Sequence, residues 1–104
     1  MNRIETLKDF LAQDPTDSFS RYALALEYVK LGQQEDARRE FETVRDKDPA
    51  YVATYFQLGQ LYRTLGLKHE AEKTLRAGIT VAAKAGDAHT QGELEGALES
   101  LLTE

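Results

Sequence analysis

The sequence repeats itself with a period of 34 residues, and this spacing limits the fold more than any other feature. Five side chains recur unchanged at that offset: Leu24, Tyr28, Leu31, Gly32 and Ala37 are followed by Leu58, Tyr62, Leu65, Gly66 and Ala71. The dipeptide Asp14-Pro15 recurs at the same offset as Asp48-Pro49. A fixed period of this length is typical of stacked supersecondary elements, each of which is too small to bury its apolar face alone.

Within each copy, apolar residues follow helical spacing on both sides of one break. In the first copy, steps of four and three residues join Leu24, Tyr28 and Leu31 before the break and Ala37, Phe41 and Val44 after it. Such steps place side chains on one face of a helix. The breaks fall at Gly32 and Gly66, where a left-handed residue ends a helix without a Cβ penalty. We therefore predict two helix–turn–helix repeats, with Leu24, Tyr28 and Leu31 facing the interior.

The segment before the repeats also predicts a helix. Residues 2–13 begin with a capping-box pattern, Asn2 with Glu5, and carry apolar side chains at helical spacing. Because Pro15 lies one period before Pro49, this segment corresponds to the second helix of a preceding repeat.

The segment after the repeats predicts one more helix, over residues 88–102. The break at Gly86 precedes it, and its Gly92 and Gly96 are expected to allow close approach to the preceding helix. The chain is thus predicted to be one domain, 1–104, of about six helices. Its parts are an N-terminal helix over 2–14, repeats over 18–49 and 52–85, and a C-terminal capping helix over 87–102.

Composition and charge exclude several classes of protein. The net charge is −5, and residues 87–104 hold five acidic side chains and no lysine or arginine. Nucleic-acid binding requires a cationic surface, and no apolar run approaches the length of a membrane span. Zero cysteine excludes disulfides and thiolate zinc sites. We expect a cytoplasmic protein that binds no nucleic acid, membrane, metal or cofactor.

No group of residues indicates catalysis. The two histidines, His69 and His89, lie 20 residues apart in different predicted helices, without a second ligand at a metal-binding spacing. Both are expected to be solvated surface residues. Ser18 belongs to no nucleophile motif and is expected to cap a helix. We therefore predict that the protein is not an enzyme.

The two repeats resemble the tetratricopeptide repeat. The family pattern W-x₂-L-G-x₂-Y, A-x₃-F and P reads in the first copy as Arg21-x₂-Leu24-Ala25-x₂-Tyr28, Ala37-x₃-Phe41 and Pro49. In the second copy it reads Tyr55-x₂-Leu58-Gly59-x₂-Tyr62 and Ala71-x₃-Leu75. The resemblance implies an all-α, right-handed solenoid of antiparallel helix pairs that acts by binding proteins.

Proline usage differs between the two copies. Pro49 is expected in the first turn of the next helix, with Asp48 as its cap. The equivalent position of the second copy holds Ala83, so the helix beginning near Lys68 is expected to continue to about Ala85. Gly78 is expected to weaken that helix.

Small and aromatic side chains at repeated positions have a packing role. Close helix crossings need small side chains at the contact, and these positions hold Ala25, Ala37, Gly59 and Ala71. The repeated tyrosines, Tyr28 and Tyr62, are expected to fill the space between paired helices.

The resemblance also implies a groove lined by the second, fifth, ninth and twelfth positions of each repeat. These are Phe19, Tyr22, Leu26 and Val29, then Ala53, Phe56, Gln60 and Arg63. The first four form an apolar stripe on a helix whose other face is assigned to the interior, so something must cover it. The cover is the N-terminal helix with the neighbouring repeat, a partner protein, or a second copy of the chain.

We favour a partner, which makes the protein a small adaptor for a peptide or protein segment. The alternative is a self-associating, homodimeric scaffold that uses the same stripe. Chaperone C-terminal tails are not expected as ligands, because the positions that clamp their carboxylates hold no cation: they are Tyr22, Leu26, Gln57, Asp87 and Gln91. The ligand should be neutral or apolar, with any acidic group near Arg63.

Overall fold

The computed structural model describes residues 2–104, which form six α-helices and no strand. The helices are α1 (Arg3–Gln13), α2 (Ser18–Lys30), α3 (Gln34–Lys47), α4 (Ala53–Thr64), α5 (Lys68–Ala85) and α6 (Ala88–Leu102). They divide between two compact units: unit 1, which ends at Asp48 and holds α1–α3, and unit 2, Pro49–Glu104, which holds α4–α6. In unit 1, α2 packs against α1 and α3; in unit 2, α5 packs against α4 and α6. The predicted all-α class is confirmed.

Left-handed glycines end the helices where the repeat pattern predicts breaks. Gly32 and Gly66 have φ angles of 74° and 79°, and Gly86, which ends α5, has a φ of 71°. The prediction that α5 continues to Ala85 is also confirmed: it has 18 residues, against 14 in α3. Because no proline interrupts the second copy, its second helix gains a full turn.

Helix α1 begins as its capping pattern predicts. The side chain of Asn2 accepts a hydrogen bond from the backbone N–H of Glu5 at 2.9 Å. The cap of α2, in contrast, is Asp17, which accepts bonds from the N–H and hydroxyl of Ser20 at 3.1 and 2.6 Å. The prediction that Ser18 caps this helix is wrong, because its hydroxyl donates to the carboxylate of Asp48 at 2.7 Å.

Asp48 and Pro49 do not begin α4, so the prediction for them is wrong. Asp48 instead follows the last residue of α3, and α4 starts only at Ala53. The carbonyl of Pro49 accepts a hydrogen bond from the hydroxyl of Tyr55 at 2.5 Å. This bond fixes the segment before α4 as a turn rather than as a first helical turn.

The predicted interior positions of the repeats are buried, with one exception. In unit 1 the buried set is Leu24, Ala25, Tyr28, Ala37, Phe41 and Val44, and in unit 2 it is Leu58, Gly59, Tyr62, Ala71 and Leu75. The exception is Leu31, which is 59% exposed. Its interior assignment is wrong because Leu31 is the C-cap of α2, where the chain already turns away from the packed face.

Two glycines of unit 2 lie where a neighbouring helix leaves no room for a Cβ atom. A Cβ atom added to Gly59 would lie 2.6 Å from Cδ2 of Leu75. One added to Gly78 would lie 2.5 Å from Cβ of Tyr55 and 3.1 Å from Cδ1 of Leu94. Gly78 therefore does more than weaken α5, since only glycine lets α5 contact α4 and α6 at this level.

The close approach predicted at the last helix is wrong. Gly92 and Gly96 are exposed, and a Cβ atom added to either would meet nothing within 4 Å. Helix α6 instead packs through Leu94, Ala97, Leu98 and Leu101, which are buried.

Candidate functional site

An apolar stripe runs along α2 in unit 1. We call it the α2 stripe, and it consists of Phe19, Tyr22, Leu26 and Val29. Steps of three, four and three residues place these side chains on one side of the helix, while the opposite side of α2 is buried. Phe19 is 65% exposed and Val29 41% exposed, whereas Tyr22 and Leu26 are half-buried. Large apolar side chains exposed in this way are typical of interaction surfaces.

The middle of the stripe is connected to the core of unit 1. The rings of Tyr22 and Phe41 meet edge to face, with centroids 5.8 Å apart and an angle of 60° between planes. Phe41 is fully buried on α3. Tyr22 therefore contributes to the stability of unit 1 as well as to its surface, so it differs from Phe19, which is mostly in solvent.

Helix α1 packs beside α2 without covering the first residue of the stripe. Leu7 is the buried side chain of α1, and the guanidinium of Arg3 forms an ion pair with the carboxylate of Glu27 at 2.7 Å. Phe19 nevertheless keeps most of its surface in solvent. The N-terminal helix is thus not the cover for this end of the stripe.

A second, more polar stripe lies on α4 in unit 2. We call it the α4 stripe, and it consists of Ala53, Phe56, Gln60 and Arg63, of which the last three are half-buried. The guanidinium of Arg63 forms an ion pair with the side chain of Glu104 and donates to the hydroxyl of Ser100 at 3.3 Å. The carboxylate beside Arg63 thus belongs to the chain itself, and the expectation that an acidic group of a ligand lies near Arg63 stays a prediction. No local sequence signal could reveal this pair, because its members lie 41 positions apart.

The histidines and acidic residues form no reactive centre in the described part of the chain. His69 and His89 are exposed, and His89 lies 3.5 Å from the carboxylate of Glu93 on the same helix. Within residues 2–104, no three side chains of the histidine, aspartate or glutamate type are grouped so that they could hold a metal ion. None of the six described helices is both long and apolar enough to cross a bilayer.

The shifted pKa values belong to helix caps. The hydroxyl of Ser20, together with its backbone N–H, holds the pKa of Asp17 below its ordinary value. Bonds from Thr90 in the same way lower the pKa of Asp87, which caps α6. Both shifts are explained by hydrogen bonds to the ionised carboxylate at a helix start, which is a structural role.

Comparison with protein families gives a consistent result along the chain. The tetratricopeptide repeat family matches residues 6–39, and a second model of the same repeat matches residues 52–84. A comparison with curated proteins gives no significant match.

Solved structures resemble the chain over most of its length. A tetratricopeptide repeat domain protein from Salinibacter ruber is 40% identical, with 85% of this chain and 89% of that chain covered and a TM-score of 0.80. The TPR2B domain of yeast Sti1, solved in complex with pHsp70, is 18% identical, with 96% and 80% covered and a TM-score of 0.89. PcrH, solved in complex with the chaperone binding region of PopD, is 17% identical, with 96% and 76% covered and a TM-score of 0.88. The last two share the fold of this chain.

Proposed function

Because the chain belongs to the tetratricopeptide repeat family, we propose that it is a non-catalytic adaptor that binds a segment of another protein. Family membership also gives the fold class, an all-α solenoid of helix pairs, as the sequence predicted. Within this fold the α2 stripe is the proposed contact surface. The cytoplasmic location stays a prediction.

The observation that carries the proposal is the exposure of Phe19 and Val29 on a helix whose opposite side is buried. Burying an exposed large apolar side chain against a partner is favourable by about 1.5–3 kcal/mol. Leu24 and Tyr28 are buried in the core of unit 1, whereas Phe19 and Val29 are exposed. A partner that covers the stripe therefore gains binding energy without competing with the core.

The charges beside the two stripes favour a neutral or apolar ligand. Glu27 on α2 is paired with Arg3 and Lys30, and Arg63 on the α4 stripe is paired with Glu104. An acidic ligand would have to displace one of these internal carboxylates before it could use a cation. This supports an extended or helical apolar segment, and it argues against the carboxylate of a chaperone tail.

The two complexes with similar folds support binding of a segment from another protein. The Sti1 domain is described with pHsp70, and PcrH with a region of PopD. Their ligands differ from each other, so they support the mode of action rather than any particular ligand for this chain.

The proposal is tested with a displayed library of random 12-residue peptides, selected on the wild-type chain. We expect enriched peptides rich in apolar and aromatic residues, whose binding measured by titration calorimetry weakens at least tenfold in Phe19→Ala/Val29→Ala. Amide chemical-shift changes on binding should map to α2. Leu31→Ala is the matched control, because Leu31 is 59% exposed, a value between those of Val29 and Phe19, but lies outside the stripe, and it should bind as wild type does.

Tyr22→Ala is a poorer test of the same surface. The contact between Tyr22 and Phe41 means that this variant is expected to lose stability together with binding. Enriched peptides whose affinity is unchanged in Phe19→Ala/Val29→Ala would contradict the proposal.

The alternative function, a homodimer that buries the α2 stripe, is separated by sedimentation. In a dimer of this kind, the wild-type chain would bind no peptide until it dissociated. The variant Phe19→Ala/Val29→Ala would be a monomer. A wild-type monomer that binds the selected peptides would exclude it.

A further inference from the structure

A single basic residue lies on the two helices α4 and α6. Arg63 is the only charged residue of α4, and α6 holds three glutamates but no lysine or arginine. Arg63 belongs to the α4 stripe, in which Phe56 and Gln60 carry no charge. A carboxylate of a ligand that reaches these two helices therefore depends on Arg63 for an ion pair that persists at every physiological pH.

One edge of the Arg63 guanidinium is already in use. Its Nε–H donates to the carboxylate of Glu104, and its Nη2 donates to the hydroxyl of Ser100 at 3.3 Å. Adjacent N–H groups of this kind form the fork that binds a carboxylate with two parallel hydrogen bonds. The Arg63 side chain is 31% exposed and that of Glu104 is 42% exposed, so the pair is partly shielded from solvent. Glu104 and Ser100 thus occupy the edge that a ligand carboxylate would use.

The end of α6 is held in position by contacts of its own. Leu101 is fully buried, and α6 packs against α4. The hydroxyl of Thr103 donates to the carbonyl of Ser100 at 3.0 Å, and the backbone N–H of Glu104 donates to the carbonyl of Leu101 at 3.4 Å. Ser100 and Glu104 are four positions apart, which places them on one side of this turn. The last turn therefore presents both side chains to Arg63.

We infer that Glu104 is a specificity-determining residue, which excludes acidic ligand side chains from the α4 stripe by holding Arg63. The inference rests on the adaptor function proposed above, and it adds a reason why uncharged ligands are selected in unit 2. An acidic group of a ligand is accepted at Arg63 only when Glu104 is displaced.

Displacing Glu104 is unfavourable for two physical reasons. A ligand carboxylate in its place would leave the Glu104 carboxylate unpaired nearby, and like charges at short distance repel each other. Glu104 also stays attached to the same unit, so it competes for Arg63 at a high effective concentration. An uncharged ligand side chain meets neither penalty, because it does not need a cation.

A purely structural role for the ion pair makes a different prediction. If the pair only fastens the end of α6 to α4, then Glu104→Gln should lower the free energy of unfolding slightly, as expected for a partly exposed pair. The choice of ligand would then stay the same. Ligand selectivity is therefore the measurement that separates the two roles.

The test is a parallel selection of displayed random 12-residue peptides on wild type, Glu104→Gln and Glu99→Gln. We expect peptides rich in aspartate and glutamate to be enriched on Glu104→Gln alone. Glu99→Gln is the matched control, because Glu99 is an exposed acidic residue in the last turn of α6 but lies outside the pair. Circular dichroism checks that all variants keep wild-type helicity.

Titration calorimetry then measures the effect of the ion pair. One acidic peptide from the Glu104→Gln selection is compared with a version in which its acidic residues are replaced by the corresponding amides. The acidic peptide should bind Glu104→Gln about three- to fivefold more tightly than wild type, the range expected for partly exposed charge pairs. The amide version should bind both equally. In Arg63→Gln/Glu104→Gln the gain should disappear, because the cation itself is absent.

Three outcomes would overturn the inference. These are a Glu104→Gln selection without acidic peptides, the same acidic enrichment on Glu99→Gln, and a gain that persists in Arg63→Gln/Glu104→Gln. The second outcome would assign the effect to net charge instead of the pair. A failure of the adaptor function is recognised separately, because wild type itself would then select no peptide.

Discussion

The helix pairs α2–α3 and α4–α5 solve the same packing problem with different residues. In unit 1 the guanidinium of Arg21 donates to the carbonyl of Pro15 at 3.2 Å. In unit 2 the hydroxyl of Tyr55 donates to the carbonyl of Pro49 at 2.5 Å. Arg21 and Tyr55 lie one period apart, as do the two prolines. One backbone carbonyl is thus satisfied by a cation in the first copy and by a phenol in the second.

The neighbours of these two residues differ in a matching way. Arg21 forms an ion pair with Glu40 at 2.9 Å, with both side chains about four-fifths buried. The ring of Tyr55 lies instead on Gly78, which corresponds to Val44 in unit 1. The comparison teaches that three positions differ between the copies: Arg21, Glu40 and Val44 in unit 1 correspond to Tyr55, Thr74 and Gly78 in unit 2. The first copy has an ion pair and a valine where the second has an aromatic ring that lies on a glycine.

The largest predicted effect comes from placing valine, the residue found at position 44 of unit 1, at the equivalent position 78 of unit 2. Gly78→Val should lower the free energy of unfolding by about 3 kcal/mol, because the new Cβ would lie against Cβ of Tyr55, close to the main chain. Urea unfolding followed by circular dichroism measures the change. The matched control is Gly92→Val in open space on α6. Equal losses in the two variants would mean that valine in a helix, and not the contact, causes the effect.

An intermediate effect separates the ion pair from the phenol. Arg21→Ala should lower the free energy of unfolding by about 1–2 kcal/mol, because Glu40 keeps a partly buried charge without its partner. The loss should shrink in high salt. Tyr55→Phe removes only a hydroxyl and should cost about 1 kcal/mol, independent of salt.

A double variant sharpens the same prediction. If Arg21 and Glu40 act as a pair, Arg21→Ala/Glu40→Ala should cost less than the sum of the two single variants. Additive losses, or an equal salt dependence of Arg21→Ala and Tyr55→Phe, would contradict the distinction between the two helix pairs.

The smallest predicted effect concerns the cap of α2, because α4 has no side-chain cap. Asp17→Ala should lower the free energy of unfolding by about 1 kcal/mol at neutral pH. Since the folded pKa of Asp17 lies below its ordinary value of 3.8, the charged form stabilises the fold above that pH. This contribution is lost as the pH falls through the folded pKa.

Asp17→Asn distinguishes the charge from the cap. Asparagine keeps an acceptor for the N–H of Ser20, so it should retain most of the stability at neutral pH and lose less in acid than wild type does. Urea unfolding at neutral and acidic pH measures both, and a carbon-detected NMR titration gives the pKa of Asp17. A pKa at or above the ordinary value would contradict the prediction.

The sequence predicts those features of the fold that depend on neighbouring residues and on the period. Gly32 and Gly66 end helices because a left-handed residue is needed there, and this need is visible locally. The extension of α5 follows from the absence of one proline. Helical spacing predicts the burial of Tyr28 and Tyr62, although the same spacing misplaces Leu31 at the end of α2.

The features that sequence reasoning missed depend on partners far along the chain. The bond from Ser18 to Asp48 spans 30 positions, and it engages the Ser18 hydroxyl that was predicted to cap α2. The role of Gly78 depends on Tyr55, so helix propensity alone misjudges it. In the candidate site, the sequence places four apolar residues on one side of α2, but it does not show that Tyr22 contacts Phe41.

The extra turn of α5 also changes how the end of the chain can be read. Counting a constant 34 positions from Leu58 and Tyr62 arrives at Gly92 and Gly96, which face solvent; counting 36 arrives at Leu94 and Leu98, which are buried. A constant spacing of 34 positions therefore fails after α5, because it assigns to the interior residues of α6 that are exposed. One lost proline is thus enough to hide the correspondence between α6 and α4 from a search at constant spacing.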